Sequence, residues 1–168
     1  ELHGTPTGVG RYLSELLAAW DTLPAAAAHE FVRLAPEGGP AGTAWEQLTL
    51  PRLVRRVGAD VLFSPAYTGP VFCPVPLAVA IHDVSYAAHP EWFPRREGLR
   101  RRLVTCLSAH RATRILTISE FSKQEIVRHL GVDPSKVTVT YPGVSRLGTT
   151  TASGGVLYVG SIFSRRHL

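Results

Sequence analysis

Between residues 77 and 141 the chain alternates short apolar runs with longer stretches of helical periodicity, and this alternation restricts the fold more than any other feature. Residues 77–81, Leu-Ala-Val-Ala-Ile, form a continuous apolar run too short for a helix. The run ends in the polar pair His82 and Asp83, as a central parallel strand does before its loop. Leu99, Leu103, Leu107 and His110 then repeat at helical spacing, and residues 115–118 resume the strand pattern. Ser119 and Ser122 are both placed to cap a helix that runs to about Leu130, with Ser122 and Glu125 at capping-box spacing and Gly131 as its stop. Val137, Val139 and Tyr141 alternate with Thr138 and Thr140 as a further strand. Strands separated in this way by helices predict a parallel sheet covered on both faces, a doubly wound, Rossmann-like α/β domain.

The flanking segments extend the pattern. Val9, Leu13, Leu16, Leu17 and Trp20 recur at three- and four-residue spacing, which predicts an amphipathic helix over 9–20 that Pro24 ends. Residues 31–34 and 45–50 are short apolar-rich runs bounded by Pro and Gly and read as strands. Pro51 suits a first helical turn, Leu53, Val54 and Val57 supply one stripe, and Gly58 stops that helix before a buried strand over 60–63. Residues 1–144 thus read as one domain. Residues 145–155, rich in Gly, Thr and Ser, read as a linker, and 156–159 as a strand opening a second domain. With Glu1 first and no methionine, the natural start and the bulk of that second domain are expected outside this sequence.

Composition narrows the class. Of 168 residues 45% are hydrophobic and 18% charged, which is a globular balance and not a disordered one. The longest apolar stretch, 73–81, is broken by Pro74 and Pro76 and falls far short of the ~20 residues of a spanning helix. Cys73 and Cys106 lack the spacing of a metal site or disulfide framework, so a reducing cytoplasm is expected. The formal charge of +5 favours anionic partners. Much of it is local, in Arg95, Arg96, Arg100, Arg101 and Arg102, which is either a solvated helix face or a patch facing an anionic membrane.

Three segments concentrate chemistry, and in an open α/β sheet the loops after the strands converge on one crevice. Gly8 and Gly10 precede a helix, where free backbone N–H groups and the positive helix end favour a phosphate; a plain turn is the alternative. The dinucleotide fingerprint is absent because Leu13 replaces its third glycine. His82 is placed to exchange a proton or bond a sugar hydroxyl, and Asp83 to orient an acceptor hydroxyl; a satisfied strand-end histidine with a turn aspartate is the alternative. Arg165 and Arg166 follow a strand and Gly160, either as an exposed basic turn or as a bidentate clamp on a diphosphate.

Taken in order, Gly8-Val9-Gly10-Arg11-Tyr12, Val79-Ala80-Ile81-His82-Asp83-Val84, Ile118-Ser119-Glu120-Phe121-Ser122, Val137 to Val144, and Leu157-Tyr158-Val159-Gly160-Ser161 with Arg165-Arg166-His167-Leu168 resemble the retaining glycosyltransferases of the group-1, family-4 type. That resemblance implies the two-Rossmann GT-B fold, of which this chain would be the first half and the opening strand of the second. It further implies that Gly8 and Gly10 approach the donor phosphates and that His82, with Asp83, faces donor sugar and acceptor. Arg165 and Arg166 would hold the diphosphate, and Arg11, Tyr12, Ser119 and Glu120 would line the site. The family's usual Arg-Lys is Arg165-Arg166 here, which keeps the charge and alters the geometry.

The implied reaction moves a hexose from a nucleotide-diphosphate sugar to a glycan or lipid-linked acceptor. It calls for no metal or other cofactor and no nucleic-acid partner, and the departing diphosphate itself helps deprotonate the acceptor. A nucleotide-sugar epimerase on the same fold and a non-catalytic α/β binding module are the rival readings.

Overall fold

The computed structural model describes residues 8–36 and 42–144. Its centre is a sheet of four strands, β1 (Leu62–Ser64), β2 (Leu77–Ala80), β3 (Arg114–Thr117) and β4 (Val137–Val139), lying in chain order with every neighbouring pair parallel. Around it run α1 (Gly8–Thr22), α2 (Leu50–Arg56), α3 (Ser85–Ala88), α4 (Arg95–Arg111) and α5 (Glu120–Leu130). Register sorts the side chains. Val79 stands opposite Ile115, and Ile115 opposite Val137, so these share one face. With Leu77 and Ile81 they pack against Ala109 of α4 and against Ile126 and Leu130 of α5, forming the main core.

The opposite face carries Phe63, Ala78 and Ala80, again by register. Here α1 lies across the sheet, with Trp20 edge-on to Phe63 at 6.0 Å and Tyr12 edge-on to His82 at 4.9 Å. His82 follows β2, so the first turn of α1 stands at the carboxyl rim of the sheet and its far end over β1. Helices on both faces of a parallel sheet give the Rossmann-like α/β architecture that the alternation predicts. None of the described helices is long and apolar enough to cross a membrane.

The connection between β1 and β2 contains no helix, so residues 65–76 are fastened by side chains instead. The buried Ser108 hydroxyl of α4 donates to the Gly69 carbonyl at 3.0 Å and accepts from the Gly69 amide at 3.1 Å. The Gln47 amide donates to that carbonyl at 3.2 Å and accepts from the Val71 amide at 2.8 Å, supplying what a neighbouring strand would. A Cβ on Gly69 would lie 3.0 Å from Ser64 Oγ and 3.1 Å from the Leu77 methyls, so any larger residue would have to push these side chains aside by a few tenths of an ångström.

Several local expectations need correction. Residues 31–34 join no strand ladder; Phe31 stacks on Trp20 at 4.7 Å instead. The run 45–50 is helical, a π-type turn over Trp45–Thr49 leading straight into α2, because Glu46 and Gln47 turn inward to bond the 68–71 backbone and Thr68. In α2 the buried side is Leu50, Pro51 and Val54, and Val57 is exposed before Gly58 stops the helix at φ +67°. Ser119 alone caps α5; Ser122 is buried in the first turn, and Glu125 pairs with His129 at 3.2 Å. Gly131 ends α5 in the left-handed conformation, as its sequence implies. In α4 the leucine stripe faces outward, and the buried side is Gly98, Thr105, Ser108 and Ala109. The linker over 145–155, the strand over 156–159, and Arg165 and Arg166 lie outside the described residues.

Candidate functional site at the carboxyl rim of the sheet

The rim is assembled where β1, β2 and β4 end and α1 begins. His82 is held between two tyrosine rings, Tyr12 at 4.9 Å and Tyr67 at 5.8 Å, both edge-on. Both its ring nitrogens are buried without a hydrogen-bond partner of acceptable geometry among the described residues. Burial pulls the imidazole below its ordinary pKa, and the nearby Pro65 carbonyl and Asp83 charge offset part of that fall. His82 is therefore neutral at physiological pH, with unused capacity to donate and to accept. Burial raises the Tyr12 phenol, which the Thr140 side chain partly offsets, so this ring stays protonated.

Asp83 is the hub of a second group. Its Oδ1 accepts from the Ser85 amide at 3.0 Å and the Ser85 hydroxyl at 2.8 Å, which starts α3, and its Oδ2 accepts from the Tyr67 hydroxyl at 3.0 Å. Tyr67 adopts φ +61°, a conformation that an aromatic residue rarely takes and that aims its hydroxyl at Asp83. Burial, then the charge and hydrogen bond of Asp83, push the Tyr67 phenol well above its ordinary pKa. Burial likewise pushes Tyr86 up to about 12, with Thr105 offsetting part of the rise.

Between the 65–76 loop, α3 and α4 opens a cleft of about 320 Å³ whose lining includes Tyr67, Asp83, Tyr86, Arg100, Arg101 and Thr105. One carboxylate, two guanidinium groups and several hydroxyls over an apolar floor of Phe93 and Val104 suit a polar, hydroxyl-rich molecule.

The sequence-predicted residues fall into three places. Tyr12, His82 and Asp83 come together at the rim, with Gly8 and Gly10 in the first turn of α1 beside them; Arg11 there is exposed. A Cβ on Gly8 would meet open space, so packing does not demand a glycine there. Ser119 is occupied as the α5 cap, accepting from the Ser122 amide at 3.1 Å. Glu120 lies instead on a separate shallow hollow with Lys123, Gln124 and Arg128. Sequence reasoning missed Tyr67, since nothing in a tyrosine announces a positive φ, though Gly69-Pro70 beside it marks the loop. It saw Arg100 and Arg101 only as charge.

A family model described as Glycosyltransferase Family 4 matches residues 16–146. The chain belongs to glycosyltransferase family 4. Among the curated proteins no match is found. The matched span of this family-4 glycosyltransferase contains the sheet, His82, Asp83, Ser119, Glu120 and the cleft; Gly8, Gly10, Arg11, Tyr12, Arg165 and Arg166 lie beyond it.

Proposed function

We propose that the protein transfers a hexosyl group, with retention of configuration, from a nucleoside-diphosphate sugar to a hydroxyl of a glycan or lipid-linked acceptor. What carries this reading is His82: a neutral imidazole whose ring nitrogens are buried without a hydrogen-bond partner of acceptable geometry among the described residues, beside the N-terminal turn of α1, in a family-4 chain. A buried polar group without partners costs stability, and a ligand that completes its hydrogen bonds removes that cost.

In this reading the donor diphosphate lies toward Gly8 and Gly10, where the α1 N–H groups and dipole favour negative charge. Arg165 and Arg166, from a donor-binding domain opening at 156–168 beyond a linker at 145–155, clamp the same diphosphate. The acceptor occupies the cleft, with a hydroxyl oriented by Asp83. Its oxygen forms the new bond to the anomeric carbon as the carbon–phosphate-oxygen bond breaks, and its proton passes to the departing diphosphate. His82 hydrogen-bonds the sugar as charge develops. Arginines carry the leaving charge, so no resident metal or cofactor is required. The site acts at the cytoplasmic side.

The test uses the full-length protein with UDP- and GDP-hexoses, a panel of glycan acceptors, and NMR of the product's anomeric signal. Transfer with the donor's configuration retained is expected. Conversion of the donor to its epimer without acceptor would establish the epimerase reading, and an inverted product would contradict the mechanism.

A further inference from the structure

The cleft beside the rim holds opposite charges that do not pair with each other. Asp83 lines it together with Arg100 and Arg101 of α4, whose next turn adds Val104 and Thr105. The two oxygens of Asp83 are filled by neutral donors alone, the Ser85 amide, the Ser85 hydroxyl and the Tyr67 hydroxyl. Among the described residues neither guanidinium forms an ion pair with it. A carboxylate and a guanidinium that share a cleft attract each other, and a direct pair would satisfy both. Here other contacts hold them apart. Glu97, one turn before Arg101, takes that guanidinium through Nε at 2.9 Å and Nη2 at 2.5 Å. Arg100 donates to Thr43 Oγ1 at 3.1 Å and has no carboxylate partner among the described residues. Glu46 does not supply one, because its oxygens accept from the Thr68 hydroxyl at 2.7 Å and the Gln47 amide at 2.8 Å.

Tyr86 adds a second, independent mark of a ligand. It lines the cleft at 5% exposure, and its hydroxyl is buried without a hydrogen-bond partner of acceptable geometry among the described residues. That hydroxyl stands beside Thr105 and in the field of both Asp83 and Arg101. A buried hydroxyl left unbonded costs stability, which a ligand oxygen restores. The mechanism at His82 makes no use of Tyr86, Arg100 or Arg101.

We infer that the cleft selects an acceptor whose sugar or polyol carries a phosphoryl group, with Arg100 as the residue that sets this selection and Tyr86 as a contact to the sugar. The phosphate oxygens meet Arg100, the edge of Arg101 that Glu97 does not take, and the Thr43 hydroxyl. Thr43 is free to donate because its oxygen accepts from Arg100. The sugar hydroxyls meet Tyr86 and Asp83. A phosphate brings about −1.5 to −2 charge and three strong acceptor oxygens, which suits two guanidinium groups and a hydroxyl better than the two oxygens of a carboxylate do. At about 320 Å³ the cleft lies at the small end of ligand sites and takes one sugar unit with its phosphate. The inference rests on the proposed transfer only in calling this occupant the acceptor. A soluble sugar phosphate and a sugar linked to lipid through phosphate present the same chemistry here.

Calorimetry of the full-length protein, with UDP and GDP in excess to fill the donor diphosphate site, compares glucose, mannose and galactose with their 1- and 6-phosphates, with glucuronate, and with decyl phosphodiesters of the same sugars. A phosphorylated form of at least one hexose should bind roughly tenfold or more tightly than its parent. Tighter binding of the diester assigns the phosphate to a lipid-linked acceptor and tighter binding of the monoester to a soluble one, and either supports the inference. Arg100→Gln should remove the advantage and leave affinity for the parent sugar nearly unchanged, while Arg100→Lys, which keeps the charge without the planar fork, should restore part of it. Tyr86→Phe should weaken parent and phosphate alike without lowering the melting temperature, because it deletes a hydroxyl that the free protein leaves unbonded. Equal affinity for parent and phosphate, equal binding of glucuronate, or wild-type selectivity in Arg100→Gln would overturn the inference. So would loss of the advantage in Arg165→Ala with Arg166→Ala, which would put the phosphate in the donor site, or a lower melting temperature in Tyr86→Phe, which would make its hydroxyl part of the internal packing. Transfer to neutral acceptors that Arg100→Gln leaves intact sinks this inference and keeps the transferase reading; phosphate binding that depends on Arg100 without any transfer does the reverse.

Discussion

Tyr67 donates its hydroxyl hydrogen to Asp83 Oδ2 at 3.0 Å from a backbone held at φ +61°. A left-handed conformation costs an L-residue about 1–2 kcal/mol, so the loop keeps the tyrosine against a steady local penalty. Glycine there would remove that penalty and would also remove the ring beside His82 and the donor to Asp83. Tyr67→Phe keeps the ring and loses only the donor. Tyr67→Phe should change stability by about 1 kcal/mol or less, since the bond is solvent-exposed, while transfer falls as Asp83 loses one of its three fixed donors. Tyr67→Gly also removes a ring packed against the core, a loss of about 3 kcal/mol that exceeds the strain relieved, so it should fall below wild-type stability and lose transfer more completely. Denaturant unfolding beside turnover checks both, and full activity in Tyr67→Phe would make that hydrogen bond incidental.

Protonation of His82 links the site to acid stability. Its folded-state pKa lies below the unfolded value near 6.5, chiefly through burial, so the unfolded chain binds the proton more readily. The stabilisation is complete above about pH 6.5 and is lost as pH falls through the lowered folded-state pKa. His82→Gln should flatten stability against pH in that window and leave it unchanged at pH 8 relative to other neutral substitutions. Thermal midpoints of both proteins between pH 5 and 8 measure this, and parallel curves would show that His82 does not titrate on unfolding.

Ser108 has no charge and no place at the rim, yet its hydroxyl is buried and bonded to both backbone groups of Gly69. Ser108→Ala leaves the buried Gly69 N–H without its partner and its C=O with Gln47 alone, and should cost about 1–3 kcal/mol. The loss should reach the site because the 65–76 loop carries Tyr67. Urea unfolding and amide exchange at Gly69 report it; unchanged protection there would show that the remaining contacts suffice.

The α5 cap gives a control at a site residue placed by sequence. Ser119→Ala removes the acceptor for the Ser122 amide and should destabilise by about 1 kcal/mol, with Ser119→Asp restoring most of the loss. If Ser119 also lines the sugar site, the aspartate variant will recover stability without recovering turnover; recovery of both confines Ser119 to capping.

Legibility in the sequence followed the physics of each element. β2, β3 and α5 could be read because a strand buried between layers must be continuously apolar and a helix end needs its cap and its glycine. The run 45–50 could not, since its pattern fits a half-buried strand as well as a helix, and the choice is made by Gln47 reaching the 69–71 backbone, distant in sequence. The α4 stripe announced a helix, and periodicity shows that one face is apolar and not which way it points. His82 and Asp83 were legible from their position after a strand. Tyr67, Arg100 and Arg101 were not, because a φ sign and the packing of a loop onto α4 bring them to the cleft.

The central claim is that a neutral His82 acts on the reacting sugar while Arg165 and Arg166 hold the diphosphate, and two variants of the full-length protein test it most directly. Nucleotide-diphosphate affinity by calorimetry and sugar-transfer rate are measured for His82→Ala and for Arg165→Ala with Arg166→Ala, with a chelator present throughout. His82→Ala should lower turnover by about two orders of magnitude or more with nucleotide affinity nearly intact, and the arginine pair should weaken nucleotide binding itself. Wild-type turnover in His82→Ala, or unchanged nucleotide affinity in the arginine pair, would contradict the account.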